Sequence, residues 1–171
     1  RYYKEDEMRT PILSVMLVAV SLALGASACG DDSDEANDAS AAVIEQIDAS
    51  CNDWKAALDE RGAFPVEEFD PENPGIEDLR AVGDYFASGQ PAQEKAIAEL
   101  RALSPPADVA DEVESLVSAL ESEFESARVQ TRAAQAGDVA AFIATLDDAA
   151  SSQEAVKEAT EELGGGESCA F

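Results

Sequence analysis

Residues 107–136 read ADVADEVESLVSALESEFESARVQTRAAQA. Val109, Val113, Leu116, Leu120, Phe124 and Ala127 recur at steps of three or four, which puts them on one face of a long amphipathic helix. Neither proline nor glycine interrupts the stretch. Gly137 stops it, and Asp138 stands where the N-cap of a following helix belongs. Downstream, Phe142, Leu146, Ala149, Gln153, Val156 and Leu163 keep the same period and predict a helix over 138–163, released by Gly164-Gly165-Gly166. Upstream, Ser104-Pro105-Pro106 makes a turn.

Before that turn, Ile76, Leu79, Gly83 and Phe86 share a face, and Ile97 and Leu100 resume it three heptads after Ile76 and Leu79. Gly89-Gln90-Pro91 lies between and would ordinarily end a helix. The retained phase predicts one kinked helix over 76–103. The proline-rich stretch 63–75 reads as a loop whose Phe64, Val66 and Phe69 fold back onto the end of the bundle. A first helix over 40–61 carries Ile44, Ile47, Cys51, Trp54 and Leu58 in one stripe, closed by Arg61-Gly62. Trp54 in that stripe reads as core. No alternating pattern of useful length predicts a strand. Four amphipathic helices joined by short connections predict an all-α, antiparallel up-and-down four-helix bundle over 41–171.

The composition excludes several function classes. The 171 residues hold 11 Lys+Arg against 37 Asp+Glu, a net charge of −26, with no histidine. Binding to nucleic acid needs clustered bases that are missing here. Without histidine there is no Ser-His or Cys-His nucleophile pair and no Glu-x-x-His di-iron motif. Phosphate-loop, dinucleotide and Gly-x-Ser-x-Gly fingerprints are absent. The carboxylate groups Glu112/Glu114, Glu121/Glu123/Glu125 and Asp147/Asp148 could in principle serve glycoside hydrolysis, but in so acidic a chain chance pairs are expected, and most read as parts of a solvated face. Arg128 and Arg132, spaced i,i+4, read as ion-pair partners of acids such as Glu125. The spacing Asp32-Ser33-Asp34 lacks the glycine and terminal glutamate of a calcium loop. The expectation is therefore a non-enzymatic protein with no catalytic, cofactor-binding or metal-binding residues.

The amino-terminal segment reads as an address. Met8-Arg9-Thr10 is a short basic start, Pro11–Leu24 an uncharged apolar run, and Gly25-Ala26-Ser27-Ala28 a small-residue cleavage site. Ala26-Ser27-Ala28-Cys29 resembles the bacterial lipobox, although position 26 has Ala where Leu is commonest. The resemblance covers residues 8–32. It implies cleavage after residue 28, a diacylglycerol on the Cys29 thiol and an extracytoplasmic domain held at the membrane by that lipid. An uncleaved span over residues 10–30 is the alternative, weakened by serines at 14, 21 and 27 and glycines at 25 and 30. Residues 1–28 are then the signal peptide, 29–40 an acidic tether and 41–171 the domain. Loss of residues 1–28 takes three charges of each sign, so the mature part keeps its charge of −26.

With Cys29 assigned to lipid, Cys51 and Cys169 are left as an even pair in an oxidising compartment and predict a disulfide. The whole chain is similar in composition to small, acidic, alanine-rich helical lipoproteins of high-GC Gram-positive bacteria, a resemblance that implies location and fold but no reaction. Two functions fit. The first is a non-enzymatic envelope or interaction role, an acidic bundle presented to cationic proteins or polymers. The second is a small-molecule-binding lipoprotein with a ligand between helices near Gly83, Gly89 and Pro91. A filled core would favour the first and a cavity the second.

Overall fold

The structure, a computed structural model, describes residues 32–170. The expected signal peptide and Cys29 lie outside the described residues. Those described form α1 (Asp32–Asp59), α2 (Ile76–Arg101), α3 (Ala110–Ala136), α4 (Val139–Ile143), α5 (Leu146–Leu163) and a 3-10 turn over Glu167–Cys169. The protein is all-helical over this range, with four long helices, as its periodicity predicts. α2 packs along α3 and α3 along α5, while α1 lies against α2 and meets the carboxy-terminal turn.

Three features differ from the sequence reading. First, α1 begins at Asp32, eight residues before Ser40, so most of the stretch read as a tether is helical. Ala39, Ala41 and Ala42 favour helix, and negative charge is stabilised at a helix N-terminus. Ser40 itself is buried, and its hydroxyl donates to Asp108 Oδ2 at 2.7 Å. Second, the helix expected over 138–163 is broken at Ala144-Thr145 into α4 and α5. Thr145 turns back on the preceding residues, with its hydroxyl and amide donating to the Phe142 carbonyl at 2.6 and 3.0 Å. Third, Ile76, read as a core position, is 52% exposed, while Val82, six residues on, is fully buried.

Other features agree. Gly62 closes α1 and Gly137 closes α3, each in the left-handed conformation with φ of 84° and 69°. After Gly137 the Asp138 amide donates to the Ala133 carbonyl at 3.0 Å, the closing bond of a Schellman turn. Asp138 caps α4 by accepting from the Ala141 amide at 3.0 Å. α2 runs through Pro91 without a break in its assignment. In the loop, Phe69 meets Phe142 edge-on at 6.1 Å and Phe64 meets Tyr85 at 5.3 Å.

The buried side chains fall into two clusters. The larger joins Ile47, Cys51 and Trp54 of α1, Ala96, Ile97 and Leu100 of α2, Val113, Leu116 and Leu120 of α3, and Val156, Ala159 and Leu163 of α5. The smaller joins Leu79, Ala134 and Phe142, with Phe69, Val139 and Leu146 against it. Each helix that reaches both clusters must therefore cross a middle layer. On α2 that layer lies between Leu79 and Ala96, on α3 between Leu120 and Ala134, and on α5 between Leu146 and Val156. Polar side chains interrupt the apolar packing there, although Val82 of α2 is fully buried within it.

Candidate functional site

The helical repeat decides what the middle layer contains. On α3 the buried face continues from Leu116 and Leu120 through Glu123, Ala127 and Thr131 to Ala134, in steps of three or four. On α2 it continues through Phe86, Gly89 and Gln93. Two of these polar residues are deeply buried, with Gln93 8% and Thr131 3% exposed. Glu123 is half-buried beside Gln93. Gln93 Nε2 donates to Glu123 Oε2 at 3.2 Å, and Glu123 has no cationic partner among the described residues. Burial alone pushes its carboxyl up from 4.5 to about 7, because the charged form loses its hydration. The Thr131 hydroxyl is buried and has no hydrogen-bond partner among the described residues.

Two clefts border the Glu123 carboxyl. One, of about 250 Å³, is walled by Trp54, Leu58 and Phe86 and floored by Gly89, Gln93 and Thr131. The other, of about 290 Å³, lies towards α5 and is bordered by Gln153, Val156, Lys157 and Cys169. Both are slightly smaller than the usual ligand site of about 300–1,000 Å³, which combines apolar walls with a few converging polar groups. Gly89 shapes the first cleft. A Cβ there would stand 2.6 Å from Arg61 Nη1 and 2.9 Å from Leu58 Cδ2, so glycine lets the end of α1 close over α2. Arg61 is held across the rim. Its Nε donates to the Leu58 carbonyl at 3.0 Å and its Nη1 to the Tyr85 carbonyl at 3.1 Å, with the guanidinium 4.3 Å from the Tyr85 ring centre. Lys157, at the second cleft, pairs with Glu154 at 3.2 Å.

The predicted cysteine pair is present. Cys51 and Cys169 are bridged, with Cα atoms 5.0 Å apart across 118 residues of sequence. The bridge seats the 3-10 turn on α1, where Ser168 Oγ also donates to Asp48 Oδ1 at 2.6 Å. Cys169 is thereby brought to the edge of the second cleft. Of the positions expected to open the packing, Gly89 lines the first cleft, whereas Gly83 does the opposite. A Cβ on Gly83 would lie 2.7 Å from the Gln135 amide nitrogen, so α2 and α3 cross there in close contact. Pro91 is exposed and does not border the cleft. Trp54 is 5% exposed and packed in the larger cluster as expected, while its side chain also walls the cleft.

The acidic groups separate by face. Glu121 pairs with Arg101, and Glu125 with Arg128 at 3.0 Å; Arg132 Nε donates to the Arg128 carbonyl at 3.3 Å. Glu114, Asp147 and Asp148 are exposed and Glu112 is half-buried. Glu123 departs from the reading that placed it on the solvated face. The signal lay in its spacing, three residues after Leu120 and four before Ala127. No protein-family model, curated protein or solved structure matches the chain.

Proposed function

We propose that the chain is a lipid-anchored, extracytoplasmic binding protein that holds a small molecule between the helices of an antiparallel up-and-down bundle and carries out no chemistry on it. The polar middle layer carries this reading. A half-buried carboxyl and the buried amide that donates to it border a cleft walled by Trp54 and Phe86, whereas a scaffold with no ligand has no use for polar groups that cost stability where they sit. The topology is supported by the order of the clusters. α2 leads from the Leu79 cluster to the Ala96 cluster, and α3 leads back from Leu120 to Ala134. Export is supported by the Cys51–Cys169 bridge, since such bonds persist in oxidising compartments, and anchoring by the lipobox resemblance at Cys29.

A second reading, recruitment of cationic proteins or polymers, draws on the outer surface. From residue 37 onward every acidic side chain except Asp48, Glu112, Glu121 and Glu123 is exposed. Such a surface would attract cations of any size, but it does not call for the interior cleft. The test is to incubate the full chain with a metabolite extract, wash it, denature it and identify released molecules by mass spectrometry. A small molecule released by the native chain and absent from a folded Ala127→Trp variant, whose indole fills the cleft, is the expected outcome. Equal release from both chains would refute it. The intact mass of the exported protein should carry a diacylglyceryl group on Cys29, and an unmodified chain retaining residues 8–28 would refute the anchor.

A further inference from the structure

The middle layer also indicates the chemistry of its occupant, and the inference rests on the ligand-binding reading above. We infer that the cleft takes a protonated organic amine with an apolar body, its ammonium group held by the Glu123 carboxylate and its hydrocarbon laid against Trp54, Leu58 and Phe86.

Each polar group in the cleft constrains the ligand. Glu123 presents a carboxylate, one oxygen of which accepts a hydrogen bond from Gln93, and no cationic side chain among the described residues pairs with it. The two bases bordering the clefts are committed elsewhere: Arg61 donates to two backbone carbonyls, and Lys157 pairs with Glu154. An ammonium ion placed at the carboxylate supplies the missing positive charge and makes a charge-assisted hydrogen bond. The aromatic walls favour a cation as well, through the negative faces of the Trp54 and Phe86 rings. A neutral ligand would leave the carboxylate unpaired, and an anion would meet it head on. The net charge of −26 raises the concentration of cations at the surface before any contact is made.

Protonation of Glu123 competes with the amine. The other charged groups around it are Arg61 at the end of α1 and Glu154 and Lys157 on α5; α2 contributes the neutral Gln93, and α1 the apolar Trp54 and Leu58. With the carboxyl titrating at about 7, its ionised fraction rises about 30-fold between pH 5.5 and pH 8, a range over which an alkylamine stays protonated. Amine binding therefore tightens by up to that factor as pH rises.

Calorimetric titration of the full chain, disulfide intact, with 2-phenylethylamine tests the inference, with 2-phenylethanol and 3-phenylpropionate as neutral and anionic counterparts of similar size. The amine should bind at least tenfold more tightly than either at pH 8 and should weaken about 30-fold at pH 5.5. Glu123→Gln, which keeps the shape and the Gln93 hydrogen bond, should abolish the preference. Glu123→Asp, one methylene shorter, should weaken the amine several-fold while keeping it ahead. Binding of the alcohol or the acid as tightly as the amine, blocked by Ala127→Trp, would overturn the amine assignment and leave the cleft as a ligand site. Failure of all three probes to bind would overturn the assignment, and the metabolite-release experiment then reports separately on the cleft.

Discussion

Replacing Glu123 with glutamine removes an ionisable group from the middle layer while keeping its length and its ability to accept from Gln93. In the native chain burial raises this carboxyl from 4.5 to about 7. An acid whose folded value lies above its unfolded value favours the folded state most when both states are protonated. Stability is then lost as pH rises, because the unfolded chain ionises from about 4.5 while the folded chain holds its proton until about 7. A separation of about 2.5 pH units corresponds to about 3 kcal/mol. Partial solvent contact of a half-buried group reduces this, so about 2–3 kcal/mol is the expected size. Glu123→Gln should match the native chain near pH 4.5 and exceed it by that amount at pH 8, roughly 10 °C in melting temperature for a domain of this size. Urea unfolding followed by circular dichroism from pH 4.5 to pH 8 measures it. Taking the difference between the two proteins cancels the contribution of the exposed carboxylates. Stability curves that stay parallel across the range would refute the reasoning, since Glu123 would then ionise as a surface acid does.

Three further outcomes follow from the packing. Cys51→Ser with Cys169→Ser opens a loop of 118 residues and should cost about 5 kcal/mol on the chain-entropy model, measured by urea unfolding. Gly83→Ala should destabilise by about 1–3 kcal/mol, because its Cβ would meet the Gln135 nitrogen at 2.7 Å and the Ala134 Cβ at 2.9 Å, and backbone at a helix crossing does not yield; an unchanged melting temperature would contradict the crossing. The melting temperature should rise from low salt to 1 M sodium chloride as screening shortens to about 3 Å, relieving repulsion within a surface of charge −26; a fall would mean that specific ion pairs govern this surface.

Much of the fold was legible because burial in a helix leaves a period. Val113, Leu116 and Leu120 mark α3, and Ile47, Cys51 and Trp54 mark α1, by apolar spacing alone. Pro91 did not mislead, since Leu100 returns to the core three heptads after Leu79, although Ile76, the counterpart of the buried Ile97, is exposed. Spacing is blind to other features. Phe142 and Leu146 are four apart whether or not Thr145 turns the chain between them, so the break after α4 leaves the pattern intact. The acidic residues before Ser40 look like a solvated tether, yet negative charge at a helix start is stabilising and α1 extends into them. Glu123 was hidden by its neighbour. Phe124 continues the apolar steps from Leu120, so the stripe was drawn through phenylalanine, and the glutamate on the adjoining face was counted with the solvated acids. Gln93 and Thr131 carry no apolar signal at all, and the meeting of Gln93 with Glu123 depends on two helices brought together by packing 30 residues apart along the chain.

The state of the Glu123 carboxyl tests the central claim most directly. Carbon-13 NMR of its side-chain carboxyl, assigned through Glu123→Gln and followed from pH 4 to pH 9, should show a titration at about 7 in the full chain alone. Saturating 2-phenylethylamine should move that titration to lower pH by pairing the ionised form with a cation. A carboxyl that titrates with the exposed glutamates and does not respond to the amine would contradict both the polar interior and the ligand it is proposed to hold.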